Sequence, residues 1–303
     1  MEQFDIIIIG AGPGGLTAGI YAGRQGTKNL IIDKDLAGGL GREVPEMENY
    51  PGYDNISGLG LIEKIKAQAV KNCQLNEMEE VTEIIKTDEE YRFTVKTNKD
   101  SYQSKTIILA TGSSHRHLNT KGEEEFKGKG VSYCATCDGF FFAGRDIIMV
   151  GGGNSALQEA LYLKNLGANV TLVHRRDEFR AQKHLQNLIK EAGINVILNA
   201  TVEEIKGEML VESVILKDTV TNELSEHQTN GVFISVGYVP HTELAKQLGA
   251  NLDESGHIIT DKNQRTNVEY VYAIGDVCVG LKQWVVACGE GAVAATSAFQ
   301  DLQ

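Results

Sequence analysis

The run Asp5 to Ile9, D-I-I-I-I, passes straight into Gly10-x-Gly12-x-x-Gly15, and the chain repeats the device when Asp146 to Val150 leads into Gly151-x-Gly153-x-x-Ala156. Nothing else in the sequence constrains the fold as tightly. A β-branched run without polar alternation is the pattern of a strand covered on both faces, as in a parallel sheet. In each copy an apolar helical stretch follows, to about Arg24 and about Leu166, and then a second strand, Asn29 to Ile32 and Asn169 to Val173. In that context glycines let the backbone turn tightly and approach a pyrophosphate at a helix N-terminus. The first glycines lie 141 positions apart, as do the ends of the second strands at 33 and 174. Val-Glu-Glu-Ile-Lys at 202 to 206 echoes Val-Thr-Glu-Ile-Ile at 81 to 85 with an offset of 121. One architecture therefore occurs twice, the first copy carrying about twenty extra residues. The expected fold class is α/β, with two Rossmann-like dinucleotide-binding domains.

One difference between the copies separates their ligands. The first ends its second strand at Asp33, the second at His174-Arg175-Arg176, with Arg180 expected one helical turn beyond Arg176. An acid bonds ribose hydroxyls and repels a 2′-phosphate, whereas guanidinium forks pair with one. The first copy suits an adenosine with free ribose hydroxyls and the second suits NADP. The plainer reading of the same residues is a turn acid and a solvated basic helix start.

Between the copies stands Cys134-Ala135-Thr136-Cys137, followed by Asp138. Two cysteines separated by two residues close a small ring, and such pairs often carry a lowered thiol pKa that makes one sulfur a good nucleophile. A carboxyl group beside the second sulfur is placed to give and take the exchange protons. Half of a zinc site would need two more ligands, and Cys73, Cys278 and Cys288 stand alone with no histidine pair nearby, so no metal is expected. A structural disulfide is disfavoured because the chain opens Met-Glu-Gln-Phe-Asp with no secretory signal, which points to a reducing cytoplasm.

Composition narrows the partners. With 41 acidic and 29 basic residues the net charge is -12, which repels nucleic-acid phosphates. No apolar run approaches the ~18 residues that span a bilayer, so membrane insertion is not expected. The 33 glycines cluster where backbone must approach a ligand.

The remaining chain reads as follows. Leu36 to Gly60, with Gly38-Gly39, is an ordered loop on the ligand side; Ile62 to Lys71 is a helix; Val81 to Ile85 and Tyr91 to Thr97 are strands, and Asn98-Lys99-Asp100 turns into a strand ending at Thr106 to Ala110, released by Thr111-Gly112. Val232 to Val236 closes the second unit. Val271 to Ile274 runs into Gly275-Asp276, whose carboxylate either caps a helix or meets a ligand hydroxyl, and Ala287 to Phe299 is a closely packed helix.

With these pieces assembled the sequence closely resembles the low-molecular-weight, bacterial-type thioredoxin reductases over nearly its whole length. The most specific matches are C-A-T-C-D-G-F-F at 134 to 141, G-G-G-N-S-A at 151 to 156 and H-R-R-D-E-F-R-A at 174 to 181, supported by E-N-Y-P-G at 48 to 52, A-T-G at 110 to 112 and G-D-V at 275 to 277. The resemblance implies a homodimer that passes electrons from NADPH through FAD and the Cys134/Cys137 disulfide to thioredoxin. It implies an FAD domain made of residues 1–114 and 243–303, with an NADPH domain at 115–242 inserted, and segments 112–118 and 237–242 as a hinge pair. FAD would meet Gly10, Gly12, Pro13, Gly15, Asp33, Lys34, Gly38, Gly39, Leu40, Asn49, Ala110, Thr111, Gly112, Gly275, Asp276, Lys282, Gln283, Trp284 and Val285. NADPH would meet Gly151, Gly153, Asn154, Ser155, His174, Arg175, Arg176 and Arg180. The family's roles make Cys137 the thiol facing the flavin, Cys134 the one that attacks thioredoxin, and Asp138 the proton donor and acceptor.

Three stretches depart from that pattern. Leu40 stands where the family usually has Gln, Gly41-Arg42-Glu43 replaces a threonine-rich run, and Lys282-Gln283 replaces Arg-Gln. Other readings on the same scaffold are a flavin disulfide reductase or dithiol oxidase with another partner, and a relative that takes electrons from ferredoxin; a non-catalytic NADP sensor would leave Cys134, Cys137 and Asp138 unexplained.

Overall fold

The computed structural model describes residues 1–44, 47 and 49–303; Pro45, Glu46 and Glu48, all in the loop expected after Leu36, lie outside the described residues. In chain order the first elements are β1 Glu2–Ile9, α1 Pro13–Arg24, β2 Asn29–Ile32, α2 Gly58–Ala69, β3 Gln74–Asn76, β4 Val81–Lys86, β5 Phe93–Thr97, β6 Ser101–Leu109 and β7 Ser113–His115. They are followed by β8 Val131–Ser132, α3 Ala135–Asp138, β9 Asp146–Val150, α4 Asn154–Asn165, β10 Asn169–Val173, α5 Lys183–Glu191, β11 Asn195–Ile197, β12 Ala200–Gly207, β13 Val211–Asp218, β14 Leu224–Gln228 and β15 Gly231–Ile234. The chain closes with β16 Tyr238–Pro240, α6 Glu243–Leu248, β17 Val271–Ala273 and α7 Trp284–Asp301. They form two compact units, Met1–Ser114 with Val239–Gln303, and His115–Tyr238, so the return crossing comes four residues before the 242 read from the sequence.

In the discontinuous unit the sheet runs β3-β2-β1-β6-β5-β4, with β17 also paired to β6. Strand β6 serves two partners along its length. Its first half, from Ser101 to Ser104, pairs antiparallel with β5, and its second, from Ile107 to Leu109, pairs parallel with β17. The isoleucine run of β1 is apolar throughout because both its faces are covered. Ile7 and Ile9 join one core with Phe93, Val95 and Ile258, while Ile6 and Ile8 join another with Leu16, Ile62 and Ala294. This is the period of two that a strand imposes on its side chains. Truncating such a residue, Ile8→Ala for example, costs about 2–5 kcal/mol. Helix α7 is rich in glycine and alanine because it meets α1 almost backbone to backbone: a Cβ on Gly291 would lie 2.3 Å from the Gly14 carbonyl oxygen.

The inserted unit repeats the plan. Its parallel sheet runs β11-β10-β9-β15-β8, and β12-β13-β14 form an antiparallel sheet. Ile147 and Met149 of β9 pack with Leu157, Leu163 and Leu185 of α4 and α5; Ile148 and Val150 pack on the other side with Val202, Val214 and Leu216. The fifth parallel strand differs in origin. In the first unit β17 is made after the other four, and in the second β8 is made before them.

Several expected boundaries move. The helix expected at 62–71 begins at Gly58, where Ser57 Oγ accepts from Gly60 N at 3.0 Å, and ends at Ala69. The strand expected after Asn98-Lys99-Asp100 and ending at 106–110 spans Ser101–Leu109 as read, whereas the helix expected at 287–299 spans Trp284–Asp301. The expected helical turn from Arg176 to Arg180 does not form, and α5 starts only at Lys183. The reason is a competing acceptor: Arg180 N and Ala181 N both donate to Gly152 O, at 2.9 and 3.2 Å, pinning this stretch to the second glycine loop. Asp276 caps no long helix and lies within a single 3-10 turn, Gly275–Val277. Among the described residues no helix is long and apolar enough to cross a membrane.

Candidate active site

In the discontinuous unit a cavity of about 1210 Å³ opens where β1, β2, β6 and β17 end. That exceeds the ~300–1,000 Å³ of ordinary small-molecule pockets and is on the scale of a dinucleotide. Its wall includes Gly10, Gly12, Pro13 and Gly15; Asp33 and Lys34; Gly38, Gly39 and Leu40; Ala110, Thr111 and Gly112; Gly275 and Asp276; and Lys282, Gln283 and Trp284. Asn49 and Val285 are not part of that wall. Asn49 instead donates to Gln283 Oε1 at 3.2 Å, and Val285 is exposed on the first turn of α7.

The glycines divide their tasks. Gly10 has φ +108° and a Cβ there would lie 2.1 Å from Ala110 O; a Cβ on Gly15 would lie 1.9 Å from Gly10 O. Those two let helix, loop and sheet meet. Gly12 has nothing within 4 Å of its missing Cβ, so it leaves space open for a ligand group.

Two carboxyl groups stand at different parts of the cavity. Asp33 accepts from Ala11 N at 2.6 Å and Asp35 N at 2.9 Å, and burial lifts its pKa above the ordinary value despite those bonds. Burial also raises the pKa of Asp276. Its turn is gripped by two residues of the α7 region: Glu290 accepts from Gly275 N at 2.6 Å, and Lys282 Nζ donates to Asp276 O at 2.9 Å and to Cys278 O. Lys282, its pKa lowered chiefly by burial, thus spends its donors on backbone. The sequence reading missed Glu290 and also Glu77, which accepts from Ala37 N and from Lys66, both at 2.7 Å, and so anchors the Gly38-Gly39 loop. Neither acid belongs to a local motif; only the fold brings them to these loops.

The second glycine loop has the same division. A Cβ on Gly151 would lie 2.4 Å from Ser235 O and 2.5 Å from the Ala156 Cβ, whereas Gly153 faces open space. Gly152 is covered by the His174 ring, whose atoms lie 2.2 Å from where a Cβ would be. His174 is buried, and its Nε2 has no partner among the described residues. Burial first, and then the cations Arg176, Arg175 and Arg180, hold its pKa below the ordinary value. Those three arginines are exposed, while Asn154 Oδ1 accepts from Gln182 N at 2.8 Å and Ser155 lies exposed at the start of α4. Three exposed guanidinium groups near enough to depress the His174 pKa, beside an open glycine, suit an anionic ligand. Glu159, which the sequence reading did not single out, is half-buried and accepts from Ser235 Oγ at 3.2 Å, and desolvation pushes its pKa to about 7.

Cys134 and Cys137 are joined as a disulfide, their Cα atoms 5.3 Å apart, with Cys134 capping the short helix α3 that contains Cys137 and Asp138. Thr136 Oγ1 lies 3.4 Å from Cys134 Sγ. Ser132, at the end of β8, donates to Asp138 Oδ2 at 2.5 Å and accepts from Cys134 N at 3.1 Å. Burial raises the Asp138 pKa, and the Ser132 bond partly offsets this. Two large apolar side chains follow, Phe140 75% and Phe141 59% exposed. The arrangement pairs a two-electron sulfur couple with a half-buried acid, and Ser132 is a part of it that sequence reasoning missed.

The family model for pyridine nucleotide-disulphide oxidoreductases matches residues 4–291. A thioredoxin reductase of Listeria innocua is 43% identical over 97% of this chain and 92% of its own length, and one of Treponema pallidum is 43% identical over 98% and 96%. The crystal structure of thioredoxin reductase from Streptococcus pyogenes is 41% identical, covers 99% of this chain and 98% of its own, and superposes with a TM-score of 0.85. Two glycine-opened loops in a duplicated α/β plan, a C-x-x-C disulfide with its acid, and these likenesses agree: the chain belongs to the pyridine nucleotide-disulphide oxidoreductases and, among them, to the bacterial-type thioredoxin reductases.

Proposed function

We propose that the chain reduces the disulfide of thioredoxin with electrons from NADPH, holding FAD in the cavity of the discontinuous unit and NADPH at the second glycine loop. The carrying observation is the opposite chemistry at two equivalent positions. Asp33 closes β2 beside a dinucleotide-sized cavity, and His174 with Arg175, Arg176 and Arg180 closes β10 beside an open glycine. A flavin bound in the first site supplies the capacity to accept a hydride from a nicotinamide and to hand two electrons to a disulfide.

The chain's own residues provide the rest. Gly12 and Gly153 leave room for pyrophosphates at the heads of α1 and α4, Asp276 offers a carboxylate to a ligand hydroxyl, and the arginines neutralise a 2′-phosphate. When the disulfide opens, Asp138 is placed to donate a proton to the departing sulfur and to take it back when the pair reoxidises. Cys134 attacks the partner and Cys137 resolves the adduct.

Phe140 and Phe141 support a protein as the partner. Two exposed aromatic side chains directly after the redox pair suit an interface anchor better than a solvent-facing helix end. Cys73, Cys278 and Cys288 are free thiols, in keeping with a reducing cytoplasm, and the family resemblance extends to a homodimer.

Titration of purified protein tests the reading. Bound yellow flavin should bleach with NADPH and recover its colour when oxidised thioredoxin is added. Protein purified without flavin, or reduced flavin indifferent to thioredoxin, would overturn it.

A further inference from the structure

We propose that Tyr133 is a positioning residue for the redox pair: anchored by its hydroxyl on Glu123, it holds Cys134 where Cys137 closes on it. This rests on the reading of Cys134 and Cys137 as a redox couple. All the residues involved belong to the inserted unit.

Cys134 follows a short support. β8 has only two residues, lies at the edge of its sheet, and pairs with β15 up to Ser132. Two side chains then take over, turned to opposite faces as strand neighbours are. Ser132 turns toward the pair and accepts from Cys134 N at 3.1 Å. Tyr133 turns into the core that it shares with Phe126, Val131 and Val150, and is 9% exposed. Its hydroxyl donates to Glu123 Oε1 at 2.7 Å; with its one proton so used, the oxygen accepts from His117 Nδ1 at 2.9 Å. Glu123 is 3% exposed and also accepts from Leu118 N at 2.9 Å and Thr120 N at 3.3 Å. Burial would lift the Glu123 pKa, but the bonds from Tyr133, Leu118 and Thr120 hold it below the ordinary value, so the phenol donates to a carboxylate. A charge-assisted bond inside a core is of the strong kind. The residue directly before Cys134 is thus fixed by more than packing, which a phenylalanine of the same shape would supply. Fixing one sulfur near the other raises their effective concentration and favours the closed pair.

The test compares the purified holoenzyme with Tyr133→Phe, Glu123→Gln and the double variant. Tyr133→Phe keeps the ring and its stacking on His115, whose centroid is 5.1 Å away, and leaves His117 Nδ1 and Glu123 Oε1 3.4 Å apart to pair directly, so the fold should survive. The dithiol–disulfide equilibrium of Cys134 and Cys137 is measured against a glutathione buffer without oxygen. Tyr133→Phe should shift it toward the dithiol on the order of tenfold and slow thioredoxin reduction, with flavin reduction by NADPH unchanged. In the Tyr133→Phe background Glu123→Gln should add almost nothing, the non-additivity expected of a shared bond. An unshifted equilibrium in folded Tyr133→Phe, or additive shifts, would overturn the inference and leave Tyr133 as core packing. Glutathione needs no protein partner, so this result stands whichever disulfide the enzyme reduces. Parent protein whose disulfide stays closed under both NADPH and reduced glutathione would overturn the redox reading as well.

Discussion

Ser132 Oγ lies 2.5 Å from Asp138 Oδ2, so the acid beside the second sulfur is held by the strand that leads to the first. The bond favours the ionised carboxylate, against burial, which favours the neutral acid. Ser132→Ala should therefore move the Asp138 pKa further up, and the acid limb of the pH profile for thioredoxin reduction should shift to higher pH. Asp138→Asn should slow that half-reaction by about 10² to 10⁴ while reduction of the flavin by NADPH stays near normal. Stopped-flow spectra separate the two steps; loss of both would make Asp138 structural.

The two cysteines should answer single substitution differently. With Cys137→Ser the thiol of Cys134 remains and nothing resolves its adduct, so oxidised thioredoxin should be trapped as a mixed disulfide. Cys134→Ser should trap little. Mass spectrometry of the trapped species identifies the linked sulfur, and an adduct through Cys137 would reverse the roles.

Neutralising Arg175 and Arg176 together should raise the KM for NADPH by on the order of 10² or more and barely change that for NADH, because charge-assisted bonds to a 2′-phosphate are worth roughly 1.5 to 3 kcal/mol each. Steady-state kinetics with both nucleotides decide it. Equal use of the two by the unaltered enzyme would remove the basis for the assignment.

Glu159 makes a stability prediction with a definite sign. Its pKa rises from 4.5 to about 7 on folding, so between those values the folded chain holds a proton that the unfolded chain has lost. Stability attributable to this group is present below pH 4.5, falls as pH rises toward 7, and levels off above, with a total penalty of about 3 kcal/mol. Glu159→Gln should thus match the parent at pH 4.5 and melt at a higher temperature at pH 8. A Tm gap that does not grow with pH would mean that Glu159 ionises normally.

Much of the architecture was legible because it is written in local patterns. The isoleucine run of β1 and the D-I-I-M-V of β9 declare doubly covered strands, and the glycines after them declare the loops. What escaped was set by distant partners. Nothing near Arg180 announces that its N–H will bond to Gly152 O, so a helical turn was expected where the chain is instead pinned. Glu77 and Glu290 look like ordinary surface acids until the fold lays them against Ala37 N and Gly275 N. Ser132 was overlooked for a related reason: its role depends on the turn of α3 that swings Asp138 back toward β8.

The different origins of the fifth parallel strands bear on how the chain is synthesised. The inserted unit has β8 in hand before its other strands emerge, and every residue it needs has left the ribosome by Tyr238. The outer sheet still lacks β17 at that moment, and α1 still lacks the partner it finds in α7. The middle of the protein is thus complete while its two ends wait for each other, reversing the N-terminal-first order usual for multidomain chains. Nascent chains from which Tyr238 has emerged and β17 has not would carry a finished inserted unit and an open outer one, with the apolar faces of β6 and α1 as the surfaces to be shielded until the last strand arrives.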